Sequence, residues 1–370
     1  MCWGQAIIVV FLEICQCKGI KGVSTLLNFD KTEPYPQSHS SIIIMSTEFI
    51  AVTGANGFLG SHVVDQLLSQ KTKTRAIVRS SASADILRQV YADQVSSGLL
   101  EFAYVPDISA ETSNVYDEAF VGVTGLIHTA SPIFQLGGIT EDREARYLKP
   151  AINGALNALR AANRSNTIKK VLLTSSVTAA TPPGGIGEIM SDYYPPITYE
   201  EALKLDDDRT MYSASKVLAE KAAWDLIKKE NPKFSLTALL VGLILGPNIQ
   251  GKSDPTGSNG IYLAMAKKPE LFVSFPSITV QDAAAAHISA LRRSETNAKR
   301  LMVIEKIFFA NDAIRIAKEQ VHDFPAGSKQ GTPEKGKYLD AHPQQDTKLL
   351  HLSFRGTDEA FAQLLRDNVA

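Results

Sequence analysis

The chain has 370 residues, with 38 Lys plus Arg against 39 Asp plus Glu, 44% hydrophobic and 21% charged, the profile of a soluble globular protein with a large core. A formal net charge of −1, with both signs mixed along the chain, argues against the basic footprint of a DNA- or RNA-binding protein. No apolar run approaches the roughly 20 residues of a membrane-spanning helix, and all three cysteines (Cys2, Cys15 and Cys17) precede the body of the chain, which excludes a disulfide framework or Cys-based metal site there and points to the cytosol.

Residues 1–44 read as an appendage, disordered or not part of the native product. No Lys or Arg precedes the short apolar stretch from Ala6 to Leu12, and Glu13 ends that stretch with a charge, so a secretory signal is not expected. Met45 stands just before Phe49-Ile50-Ala51-Val52, an apolar strand where a domain is expected to begin.

Further short apolar runs occur at Thr74 to Val78, Leu100 to Val105, Gly125 to His128, Val171 to Thr174 and Ser235 to Val241. Between them, Val63, Val64, Leu67 and Leu68, and later Ala155, Leu156, Leu159 and Ala162, repeat with the 3.6-residue period of an amphipathic helix. Strands alternating with helices predict an α/β protein with a doubly wound, Rossmann-like parallel sheet and a ligand site outside the carboxyl ends of its strands. After Thr174 the segments Thr181 to Gly185, Tyr193 to Pro196 and Gly246 to Gly260 are rich in Pro, Gly or Ser and are expected to be loops. Asp206-Asp207-Asp208 reads as a solvated turn, and Thr357 as the N-cap of a last helix carrying Phe361, Leu364 and Leu365 on one face. The expected organisation is a nucleotide-binding domain over 45–245 and, over 246–370, mainly a small substrate lobe with segments returning to the sheet.

Gly54-Ala55-Asn56-Gly57-Phe58-Leu59-Gly60 lies between the first strand and the first helix, the context in which a Gly-rich motif is informative. Gly54 permits a tight turn, Gly57 lets the backbone approach a pyrophosphate at the helix N-terminus, and Gly60 allows close helix–strand packing. The second strand ends in Arg79-Ser80 with no acid between Asp65 and Asp85, which favours the 2′-phosphate of NADP(H) over NAD. The alternative for Arg79 is a solvated surface charge.

Met211-Tyr212-Ser213-Ala214-Ser215-Lys216 opens a helical run, placing Tyr212 and Lys216 at i and i+4 on one face. A phenol with an ordinary pKa of about 10 becomes a useful acid or base near neutrality when a neighbouring ammonium lowers it. Thr174-Ser175-Ser176 puts hydroxyls at the end of a central strand, at the same edge.

On these residues, together with Pro106-Asp107-Ile108, His128-Thr129-Ala130-Ser131-Pro132 and Gly246-Pro247, the chain from about Met45 onward resembles the extended short-chain dehydrogenases/reductases. Within them it is similar to the group of dihydroflavonol, cinnamoyl-CoA and fungal methylglyoxal or ketone reductases. The resemblance implies that Ser176 orients a substrate carbonyl, that Tyr212 donates the proton, and that Lys216 binds the nicotinamide ribose and lowers the tyrosine pKa. It further implies that Asp107 and Ile108 meet the adenine, that Thr129 and Ala130 pass close to the cofactor, and that the backbone near Leu243 holds the carboxamide. The chain departs from the family pattern at Val241, where Pro is frequent, and at Ala151, where an Asn is frequent and for which Asn153 or a water is a substitute.

His128 and His287 read as packed or surface residues rather than catalysts, and no metal-ligand spacing is found. The segments Ile133 to Gly138, Thr181 to Pro196 and Gly246 to Gly260 mix aromatic, apolar and Gly positions, which suits an uncharged or weakly polar carbonyl. The expected function is NADPH-dependent reduction of a small aldehyde or ketone by a cytoplasmic monomer or homodimer. A nucleotide-sugar epimerase or dehydratase on the same scaffold and a non-catalytic NADP-binding regulator are the rivals.

Overall fold

The computed structural model describes residues 48–369 apart from 113, 134–141, 272, 329–330 and 332–337. The expectations for residues 1–44 and Met45, and for most of the Ile133 to Gly138 loop, lie outside the described residues.

The strands, in chain order, are β1 (Phe49–Thr53), β2 (Lys73–Val78), β3 (Leu100–Tyr104), β4 (Gly125–His128), β5 (Lys170–Ser176), β6 (Gly187–Ile189), β7 (Ser235–Val241), β8 (Leu243–Leu245), β9 (Ser274–Thr279), β10 (Arg300–Val303), β11 (Lys306–Phe309) and β12 (Leu339–Ala341). Seven of them pair in parallel in the order β10-β7-β5-β4-β1-β2-β3. This is a doubly wound, Rossmann-like sheet. The strand order reverses at β1, whose two neighbours are β2 and β4, and a crevice for a ligand opens outside the strand ends at such a point.

The longer helices are α1 (Phe58–Ser69), α2 (Lys149–Ser165), α3 (Asp208–Glu230), α4 (Gly257–Lys267), α5 (Val280–Arg292), α6 (Ala310–Gln320) and α7 (Thr357–Val369). The central strands β1, β4 and β7 are largely apolar and buried because both faces of the sheet are covered there. Val63, Val64 and Leu67 of α1 and Ala283 and Ala286 of α5 bury one face with Val52, Ile127 and Leu239. Ala155, Ala158 and Leu159 of α2 bury the other with Leu126 and Val171.

A further core joins Leu245, Tyr262, Phe308, Ala313, Phe361 and Leu364. At its centre the rings of Tyr262, Phe308 and Phe361 lie 5.4, 5.6 and 6.2 Å apart, centroid to centroid. These side chains come from α4, α6, α7 and the small sheet β11-β9-β8. β10 leaves that neighbourhood and completes the main sheet beside β7.

Three local expectations are corrected. Helix α4 begins at Gly257, so the end of the Gly246 to Gly260 segment is helical rather than loop. Asp206-Asp207-Asp208 is not merely a solvated turn. Asp207 caps α3 by accepting from the backbone N–H groups of Arg209 and Thr210, and Asp208 is buried, accepting from Arg143 Nε at 2.8 Å and from the Tyr147 hydroxyl at 3.1 Å. Thr357 is the first residue of α7 rather than its cap: its N–H and hydroxyl both donate to the Glu305 carboxylate, which serves the helix end from outside.

Candidate active site

The turn between β1 and α1 is built by steric necessity. Gly54 has φ +63°, a conformation that L side chains rarely adopt, and a Cβ there would meet Ala130 backbone atoms at 3.0 Å. At Gly60 a Cβ would lie 2.2 Å from the Gly54 carbonyl oxygen, so only glycine lets the first turn of α1 sit on the loop. Gly57 is the extended residue that starts α1. No side chain caps this helix, and its first turn holds no acid. The free N–H groups and positive end of the helix dipole are therefore left to an anion.

Around this turn, Thr53 links two strand ends. Its Oγ1 pairs with His128 Nδ1 at 2.9 Å and accepts from the Ala130 N–H, while its carbonyl accepts from Thr129 Oγ1 at 2.6 Å. His128 is buried and neutral, its pKa pushed down to about 3 by desolvation and by the Lys216 charge. His287 is equally buried. Its Nδ1 donates to the Ala283 carbonyl, so in the neutral ring Nε2 accepts from the Thr174 hydroxyl at 2.9 Å, and burial lowers its pKa to about 4.

A single cleft of about 1840 Å³ runs along the carboxyl ends of β1, β2, β4, β5 and β7. Gly54, Asn56, Gly57, Phe58, Leu59 and Gly60 line it at one point, and Arg79, Asp107 and Ile108 line its β2–β3 side. Thr129 and Ala130 form its floor between them and Ser176, Tyr212, Lys216 and Leu243, which line its other end. Every residue expected at the site therefore borders the same cavity. Arg79 is exposed, and its charge lies close enough to Asp107 to help hold that carboxylate below its usual range, after the stronger hydrogen bonds from the Ser109 hydroxyl and N–H. The cleft exceeds the usual 300–1,000 Å³ of a site for one drug-sized ligand and has room for a dinucleotide together with a small substrate. The glycine cradle, the uncapped helix and Arg79 form a donor set that fits NADP(H).

Three consecutive hydroxyls at the end of β5 have three different partners. Thr174 is bound to His287, Ser175 donates to Glu220 Oε2 at 2.5 Å, and Ser176 accepts from both the N–H (3.2 Å) and the hydroxyl (3.1 Å) of Thr178. With its acceptor positions used, the Ser176 proton is left to donate into the cleft that Tyr212 also lines.

Lys216 Nζ donates to Ser131 Oγ at 2.9 Å and lies 5.7 Å from the centre of the Tyr212 ring. Burial lowers its pKa to about 8, opposed by the negative charge of Glu220. The phenol is not lowered overall, contrary to the expectation for a ring beside this ammonium. Desolvation pushes Tyr212 up to about 12, and the opposing influence comes from the Ser176 hydroxyl. Burial of the ring outweighs what its polar and charged neighbours contribute.

Asn153, offered in place of the family's asparagine, donates its amide to the Ser109 carbonyl and is not among the residues that line the cleft. Ser131, inside the His128 to Pro132 segment, is the residue that meets Lys216, and sequence reasoning gives it no role. Leu243, expected to offer its backbone, has its carbonyl engaged by the Tyr262 hydroxyl at 2.8 Å.

A model of the NAD dependent epimerase/dehydratase family matches residues 50–304. The ketoreductase adrE of Penicillium rubens is 32% identical over 278 residues, spanning 73% of this chain and 79% of that protein. The NADPH-dependent methylglyoxal reductase GRE2 of Saccharomyces cerevisiae is 30% identical over 296 residues, 75% of this chain and 82% of its own. The crystal structure of yeast methylglyoxal/isovaleraldehyde reductase Gre2 complexed with NADPH superimposes with a TM-score of 0.73 at 26% identity, covering 86% of this chain and 98% of that one.

Proposed function

The chain belongs to the NAD dependent epimerase/dehydratase family, and from that premise we propose that it is an NADPH-dependent reductase that converts a small aldehyde or ketone to an alcohol. The observation that carries the reading is the meeting of Ser176, Tyr212 and Lys216 in the cleft that also contains the glycine turn and Arg79. The similar proteins with printed activities are reductases, and one of them, yeast Gre2, is by name NADPH-dependent and was crystallised with NADPH. This favours reduction over epimerisation or dehydration.

When bound, NADPH supplies a hydride from its nicotinamide. The chain's residues do the rest. The N-terminus of α1, with Gly57 free of a side chain, would hold the pyrophosphate, and Arg79 would pair with the 2′-phosphate. The Ser176 hydroxyl donates to the substrate carbonyl oxygen, holding it beside the Tyr212 phenol. As negative charge develops on that oxygen, Tyr212 gives it the phenolic proton. A protonated phenol near neutral pH is what this direction requires, and the burial that raises Tyr212 keeps it protonated. Lys216, joined to Ser131, contributes a positive charge beside the ring that stabilises the phenolate left behind.

We propose further that the enzyme acts in the cytosol, as a monomer or homodimer. Incubation with NADPH and a panel of aldehydes and ketones, followed by absorbance, tests the assignment. Carbonyl-dependent loss of NADPH with release of NADP+ at each turnover is expected. Tight cofactor binding without turnover on any carbonyl would refute it.

A further inference from the structure

Glu220 lies one helical turn beyond Lys216 on α3, and the reduction proposed above assigns it no role. It is 1% exposed, with its carboxylate at the junction of three parts of the site. Oε2 accepts from Ser175, the neighbour of Ser176. Oε1 accepts from Arg300 Nε at 2.6 Å, from the Tyr194 hydroxyl at 3.0 Å and from Trp224 Nε1 at 3.2 Å. Arg300, itself mostly buried, extends the junction: it donates to the carbonyls of Ala179, Ser191 and Tyr193, and its guanidinium lies 3.8 Å from the centre of the Tyr194 ring. Those carbonyls belong to the segment after β5 that borders the cleft through Thr181, Pro182, Pro195 and Pro196.

A buried ion pair is a costly way to gain stability, because desolvation offsets most of the attraction. Its value lies in what it holds in place. We propose that Glu220 is a positioning residue for the reduction: its carboxylate clamps the strand end carrying Ser176 and, through Arg300, the substrate-side segment, while placing a negative charge one turn from Lys216. The inference rests on the proposed roles of Ser176, Tyr212 and Lys216.

The charged and titratable groups around Lys216 leave Glu220 as the carboxylate that acts on it. On its own helix Tyr212 is protonated, and Asp208 is bound to Arg143. From β4, His128 is held neutral, and from the segment preceding α2, Glu144 accepts from the Tyr199 hydroxyl and pairs with Lys149. β5 contributes the hydroxyls of Ser175 and Ser176, and β10 contributes Arg300, whose pairing with Glu220 offsets part of that carboxylate's field without removing its effect on Lys216. Glu220 opposes the burial that drains the Lys216 charge.

The test compares Glu220→Gln, Glu220→Asp, Ser175→Ala and Tyr212→Phe in the full chain. Glu220→Gln is expected to keep NADPH affinity within about threefold while kcat falls about 10- to 100-fold, a fraction of the loss expected for a catalytic acid. The alkaline limb of kcat should move down by about one pH unit, because removing a nearby negative charge lowers an ammonium pKa. Glu220→Asp keeps the charge and should leave that limb in place. Ser175→Ala, which removes one contact and no charge, should lower kcat about three- to tenfold without moving the limb. In protein without cofactor, the pH dependence of Lys216 acetylation by acetic anhydride, read by peptide mass spectrometry, should show the same downward shift in Glu220→Gln alone. Where that variant does not fold, Glu220→Gln combined with Arg300→Met removes both buried charges and should show the same fall in kcat with a smaller downward shift, because the lost positive charge offsets the lost negative one. Wild-type turnover in Tyr212→Phe would overturn the site reading and the proposal with it. A crippled Tyr212→Phe beside an unmoved alkaline limb and acetylation midpoint in Glu220→Gln would overturn the proposal alone.

Discussion

Ser175 and Ser176 are adjacent in sequence and serve different ends of one apparatus: Ser175 donates to the buried Glu220 carboxylate, and Ser176, held by Thr178, borders the cleft that Tyr212 also lines. The first hydroxyl is committed to the scaffold, and the second keeps its proton for the cleft.

Ser176→Ala should therefore lower kcat about 100-fold or more, and Ser175→Ala about tenfold or less, with NADPH binding retained in both. Steady-state kinetics on one reducible carbonyl decides the ranking. The reverse order would mean that Ser175 faces the substrate.

Arg79 makes a separate claim about cofactor choice. A charge-assisted hydrogen bond to the 2′-phosphate, worth roughly 1.5–3 kcal/mol, is available to NADPH and not to NADH, a preference of about ten- to more than a hundredfold. Arg79→Ala should weaken NADPH by a similar factor, leave NADH almost unchanged and flatten the salt dependence of NADPH affinity. Equal losses for both cofactors would show that Arg79 supports the fold instead.

Gly60 tests the steric account of the turn. Its Cβ would stand 2.2 Å from the Gly54 carbonyl oxygen, so Gly60→Ala must push α1 off the loop. We expect a loss of about 1–3 kcal/mol in stability by urea unfolding and a large loss of NADPH affinity. Unchanged stability and affinity would contradict the packing role.

The glycine turn, the sheet and the Tyr212/Lys216 pair are legible in the sequence because each is a local pattern: glycines between a strand and a helix, apolar runs buried on both faces, and a four-residue helical spacing. The features that are not legible depend on distant partners. Glu220 sits inside a helical run where an isolated acid reads as solvated, and Arg300, 80 residues on, has no local feature announcing that it closes on it. Asp208 misleads for the same reason, its partner Arg143 being 65 residues away. The lobe strands β8, β9 and β11 have three to six residues each, too few to display an alternation, and two of them pair across the lobe in opposite directions.

His128 and His287 carry a prediction for pH and stability. Burial holds their pKa values at about 3 and about 4, below the 6.5 of the unfolded chain. Above pH 6.5 both states are neutral and the full stability is present. As the pH falls, the unfolded chain takes up protons first, and stability declines toward the folded values. Between pH 7.5 and 5.5 the two residues should together cost about 2–3 kcal/mol in urea unfolding. A flat profile over that interval would mean that they are not buried and neutral.

The central claim is that Tyr212 delivers the proton in an NADPH-dependent reduction, and the most direct test is turnover of Tyr212→Phe on a carbonyl that the wild-type protein reduces, measured beside its NADPH affinity. The ring is kept and the acid removed. Turnover should fall by about two to four decades while the dissociation constant for NADPH stays within about threefold of wild type. Near wild-type turnover in this variant would contradict the account.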